Sequence, residues 1–131
     1  MSMSDPISNM LNMIRNAGKR RLPSVDVPAS KLNQSILQVF KDGGYVENFR
    51  FIEDRRQGVL RIYLKYINRE PAITGLKRVS RPGSRVYARG EKIPSVLNGI
   101  GTAVISTSKG VITDKQAREM KIGGEVLLFI W

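Results

Sequence analysis

The 131-residue chain contains no cysteine and no histidine. The first absence excludes disulfides and thiolate chemistry and fits a reducing compartment. The second removes the commonest general base and the commonest metal ligand. Long hydrophobic runs are also missing. The longest near the end, residues 126–131, is far too short to span a bilayer. The opening "MSMSDPISNML" has neither a basic n-region nor a long apolar stretch, so it does not read as a secretory signal. A soluble intracellular protein is expected. Negative charge is scarce as well: 11 Asp+Glu stand against 22 Lys+Arg, a net +11. Such an imbalance repels itself in the folded state. It calls for a polyanionic partner, most often nucleic acid and sometimes an anionic membrane.

What is present describes a globular domain. Hydrophobic residues make up 41% of the chain, enough for a core over a length of about one domain. "DPISNMLNMIRNAG" predicts a helix, with Asp5 as cap and Pro6 in the first turn, where its missing N–H is not needed. Ile7, Met10, Leu11, Ile14 and Ala17 recur at helical spacing. "SKLNQSILQVFKDGG" repeats the pattern. Ser30 caps it, Leu32, Ile36, Val39 and Phe40 face inward, and Gly43 ends it. "SVDVP" is a short strand candidate between the helices.

The period then changes to two. "YVENFRFI" and "VLRIYLKY" read as strands joined by "EDRRQG", and "AITGLKRVS" as a third. "RPGSR" breaks the pattern, and a boundary falls there, near residue 82. Beyond it, "RVYA", "IGTAVIST", "GVIT" and "EVLLFIW" are strand candidates. Thr113-Asp114-Lys115-Gln116 matches a capping box that opens a short helix. The expected fold is α/β (α+β) in two tightly packed parts. Residues 1–81 form two helices and a three-stranded antiparallel sheet; residues 82–131 form a β-rich unit with short helices.

Two stretches stand out chemically. At an expected hairpin tip lie Ser106, Thr107, Ser108, Lys109 and Gly110. Short hydroxyls donate and accept hydrogen bonds and let the backbone approach a partner closely. On RNA they can meet phosphates, 2′-hydroxyls and base edges, while Lys109 supplies charge and Gly110 the turn. On spacing alone an ordinary polar hairpin is the favoured reading, since polar loops are commonplace. The stretch "LKRVSRPGSRVYARGEK" holds Lys77, Arg78, Arg81, Arg85, Arg89 and Lys92 around Tyr87, with Glu91 as its one acid. Cations interleaved with an aromatic suit RNA phosphates and a stacked base. Arg15, Lys19, Arg20 and Arg21 form a further basic cluster.

Other matches are weak. Ser106-x-x-Lys109 has the spacing of a penicillin-binding-protein nucleophile, but that motif needs a helix, and no partner motif is present. Gly99-x-Gly101 lacks the third glycine of a dinucleotide fingerprint. Met10 and Met13 suit a core. No acid cluster has metal-ligand spacing, so neither cofactor nor metal is expected, and no enzyme activity.

The segment "STSKGVITDKQAREMKIGGEVLLFIW" resembles the C-terminal signature of ribosomal protein eight of the small subunit, bacterial type. "SMSDPISNMLNMIRNA" is similar to that family's N-terminal helix, "PASKL" to the start of its second helix and "GLKRVSRPGSRVY" to its domain junction. The four matches run in order over essentially the whole chain. The resemblance implies a cytoplasmic structural constituent of the ribosome that binds the central domain of small-subunit ribosomal RNA at a stem with an irregular internal loop. It implies an early role in assembly and, in several bacteria, repression of its own operon through a similar messenger-RNA element. It further implies main RNA contacts at Ser106, Thr107 and Ser108, with Tyr87 and Glu125 beside them, secondary contacts around Lys31, and ribosomal protein five as a neighbour. A general DNA binder, supported by charge alone, is the competing expectation.

Overall fold

The computed structural model describes residues 5–131. The chain divides into two compact units, Pro6–Thr74 and a second comprising Gly75–Trp131 with Asp5.

In the first unit the helices α1 (Pro6–Lys19) and α2 (Lys31–Asp42) alternate with strand β1 (Ser24–Pro28) and lead into β2 (Val46–Ile52) and β3 (Val59–Leu64). The strands form an antiparallel sheet in the order β1-β3-β2. The helices cover it, α1 against β1 and α2 against β2. Their amphipathic spacing explains why: Ile7, Met10, Leu11, Ile14 and Ala17 are buried on α1, and Ile36, Leu37, Val39 and Phe40 on α2. Ser30 caps α2 as expected, its Oγ accepting from the Asn33 N–H at 3.1 Å. Leu32, expected inside, is exposed. The buried stripe runs through Asn33, Ile36, Leu37 and Phe40, and Leu32 falls beside it. A two-stranded ribbon, β4 (Tyr66–Ile67) and β5 (Glu70–Pro71), follows.

The second unit contains β6 (Leu76–Arg78), β7 (Tyr87–Ala88), β8 (Thr102–Thr107), β9 (Gly110–Thr113), α3 (Asp114–Met120) and β10 (Gly124–Ile130). The sheet runs β6-β10-β8-β9, and β7 also pairs with β10. The core gathers Val96, Ala103, Ile105, Ile112 and Ala117, with Phe129 and Trp131 against them. The capping box is formed in full, with Thr113 and Gln116 bonding reciprocally.

One strand differs from the sequence reading. The segment read as the third strand of the first sheet supplies β6, which pairs with β10 instead, and β1 completes the first sheet. The compact units therefore part between Thr74 and Gly75, ahead of β6. Pro82-Gly83 forms a tight turn closed by reciprocal Arg81–Ser84 backbone bonds, inside the second unit.

Candidate nucleic-acid interface

The hairpin β8–β9 presents the hydroxyl run at its tip. Ser106 pairs with Val111 and Thr107 with Gly110, which leaves Ser108 and Lys109 as the exposed loop residues. Thr107 fixes that loop. Its hydroxyl donates to the Gly110 carbonyl at 2.9 Å and accepts from the Lys109 N–H at 3.0 Å. Gly110 has φ 108°, a region open to glycine at little steric cost. The hydroxyls thus divide their work: Thr107 holds the turn, Ser108 faces solvent, and Ser106 is half-buried in the ladder.

Strand β10 brings distant residues to the same place. Glu125 pairs with Ser106 on one side and with Tyr87 on the other. The three side chains thus come from neighbouring strands, and Tyr87 is 69% exposed. Gly124 permits this closeness. A Cβ there would lie 2.2 Å from the Ser106 carbonyl oxygen, so any side chain would push β8 and β10 apart at the hairpin end.

Glu125 is anchored rather than loose. Its Oε2 accepts from the Ser80 hydroxyl at 2.6 Å and from Arg85 Nη1 at 2.9 Å. The Ser80 hydroxyl also accepts from the Val86 N–H at 3.0 Å, which ties the 80–86 turn to β10. Burial pushes the Glu125 carboxyl up. The hydrogen bonds from Ser80 and Arg85, with the charges of Arg85 and Arg78, outweigh that and hold it below its ordinary value. The acid is therefore ionised and largely compensated at neutral pH, and it repels a polyanion little.

Of the six cations around Tyr87, Arg78 is not a surface residue. It is buried, with Nη1 donating to the Leu127 carbonyl at 2.7 Å and Nε 3.4 Å from Asp5. A guanidinium so engaged holds structure together. Lys77, Arg81, Arg85, Arg89 and Lys92 are exposed. Lys31 opens α2 and is exposed, but it belongs to Pro6–Thr74, as do Arg15, Lys19, Arg20 and Arg21, whereas the hydroxyl run, Arg85, Tyr87 and Glu125 belong to the second unit. Sequence reasoning missed Ser80: a lone buried serine 45 residues from its carboxylate leaves no local signal.

Nothing here assembles a nucleophile. Ser106 and Lys109 sit on a strand end and its turn, not on one helical face. Among the described residues, no three acids converge as a metal site. None of their helices is long and apolar enough to cross a membrane.

The model of the family described as ribosomal protein S8 matches residues 5–131. The chain belongs to this family. Similar full-length relatives are the small ribosomal subunit proteins uS8 of Geobacter sulfurreducens, 57% identical, Ruminiclostridium cellulolyticum, 55% identical, and Staphylococcus carnosus, 50% identical. Each comparison covers all of both chains. The family is one of ribosomal structural proteins, parts of a ribonucleoprotein and not enzymes, and these relatives are bacterial proteins of cytoplasmic ribosomes.

Proposed function

We propose that this chain is a structural constituent of the small ribosomal subunit that binds the central domain of its ribosomal RNA directly. Its target is a stem with an irregular internal loop, and its early binding helps nucleate assembly. The observation that carries this reading is the convergence of Ser106, Glu125 and Tyr87 on three paired strands beside the exposed Ser108-Lys109 tip.

Each part of that surface has its own task. Lys109 and the exposed arginines attract phosphates and make affinity depend on salt. The Ser108 hydroxyl bonds to a phosphate, a 2′-hydroxyl or a base edge. Tyr87 offers a face on which an unstacked base can rest. Glu125, held by Ser80 and Arg85, keeps further lone pairs that can accept from a base amino group. Ser106 and Thr107 set the shape of the edge, and Lys31 adds a secondary contact. A regular duplex offers no splayed bases for Tyr87 and Glu125, so the irregular loop is preferred. Ribosomal protein five is the proposed protein neighbour.

Hydroxyl-radical footprinting on full-length small-subunit ribosomal RNA tests this reading. Protection centred on the irregular central-domain stem is expected. Protection spread evenly over regular helices would contradict it.

A further inference from the structure

The Pro6–Thr74 unit carries a cleft of about 510 Å3 lined by Arg21, Tyr66, Asn68, Arg69 and Glu70. Its two arginines occupy backbone positions that normally belong to glycine. Arg21 ends α1: its N–H donates to the Gly18 carbonyl and the Leu22 N–H to the Ala17 carbonyl, the bonding of a Schellman cap. Its φ is 52°, in the left-handed region that an L side chain enters at a cost. Arg69 is the second residue of the two-residue loop between β4 and β5. Asn68 and Arg69 have φ 51° and 69° there, the signature of a type I′ hairpin, whose second position prefers glycine. Lys121 shows that the chain tolerates a cation at such a cap elsewhere, with φ 57°. What distinguishes Arg21 and Arg69 is that both strained residues line one cleft, although 48 positions separate them.

The cleft is held in shape. Arg21 Nε donates to the Arg69 carbonyl at 3.0 Å, and the Tyr66 hydroxyl donates to the Leu22 carbonyl at 2.5 Å. Arg21 Nη2 also pairs with Glu70 at 3.0 Å, with 57% and 70% of the two side chains exposed. An ion pair so open to water is weak, and an incoming anion can replace the carboxylate. Guanidinium groups match phosphate oxygens in geometry and charge. Strain retained at two converging positions points to function.

We infer that this cleft is a further RNA contact, separate from the hairpin surface and from Lys31, taking a backbone phosphate of the ribosomal RNA beside Arg21 and Arg69. The inference rests on the RNA-binding reading above but uses neither the hairpin nor Tyr87. A sparse charged grip of this kind positions RNA without reading its sequence.

The test compares the full chain with its Arg69→Gly and Arg69→Asn variants. Both replacements suit the left-handed turn, so Tm should hold or rise. Affinity for full-length small-subunit ribosomal RNA should fall about 3- to 10-fold at about 0.15 M salt, and the log–log salt slope should lose about 0.7–0.9. Unchanged affinity and slope in folded variants would overturn the inference. So would a cleft that takes only a free anion, seen as inorganic phosphate raising the Tm of the parent but not of Arg69→Gly while RNA binding stays equal. Ser108→Ala, run in parallel, reports on the hairpin. Its failure to weaken binding would count against the hairpin reading and leave the Arg69 comparison standing.

Discussion

At the scale of single residues, Ser108 and Glu125 have different consequences. Ser108 is exposed at the loop tip, and its hydroxyl is not used to hold the turn. Ser108→Ala should leave stability unchanged and weaken binding to the irregular stem by about 1–2 kcal/mol, the cost of one polar group left unpaired. Isothermal titration checks this, and equal affinity in the folded variant removes Ser108 from the interface. Lys109→Ala should lower affinity and reduce the salt slope by about one phosphate's share. Glu125 acts on stability. Its carboxyl titrates below the ordinary value of 4.5 because Ser80 and Arg85 favour the charged form. A depressed carboxyl contributes stability that is fully present above the unfolded value and is lost as pH falls through the folded one. Unfolding by denaturant between pH 2.5 and 6 should show that loss in the parent and a flatter curve in Glu125→Gln. Parallel curves would contradict it.

At the scale of elements, the register of β8 against β10 decides whether the surface exists. Gly124→Ala would set a Cβ against the Ser106 carbonyl. It should destabilise the fold by about 1–3 kcal/mol, as overpacking does, and weaken RNA binding even though no RNA contact is removed. Thermal unfolding and binding of this one variant check both, and an unperturbed Tm would refute the close approach. The helices were legible in the sequence because their signals are local: five apolar residues on α1 at helical spacing, Ser30 as a cap, the Thr113–Gln116 box. The pairing of β6 was not legible. Three residues of alternating burial, Leu76, Lys77 and Arg78, suit the edge of either sheet, and only the course of the distant β10 settles which one they join. Leu32 shows the same limit on a helix, since an apolar side chain at the margin of the stripe can fall on either side.

At the scale of the whole molecule, a net charge of +11 makes a polyanion the expected partner. Charge alone does not separate RNA from any other polyanion. The hydroxyl tip and Tyr87 could be recognised as candidates in the sequence, because both lie in short polar or basic stretches. Their meeting at Glu125 comes only from the family resemblance and from no local pattern, since it rests on β10 pairing with strands distant in the sequence. Nor does composition show that Arg78 is buried while its neighbour Lys77 is exposed. In the proposed function shape, and not charge alone, selects the RNA. A titration of the full chain against the irregular central-domain stem and a perfect duplex of equal length, at several salt concentrations, tests it most directly. A preference for the irregular stem that persists at raised salt is predicted. Equal binding to both that collapses together as salt rises would contradict it.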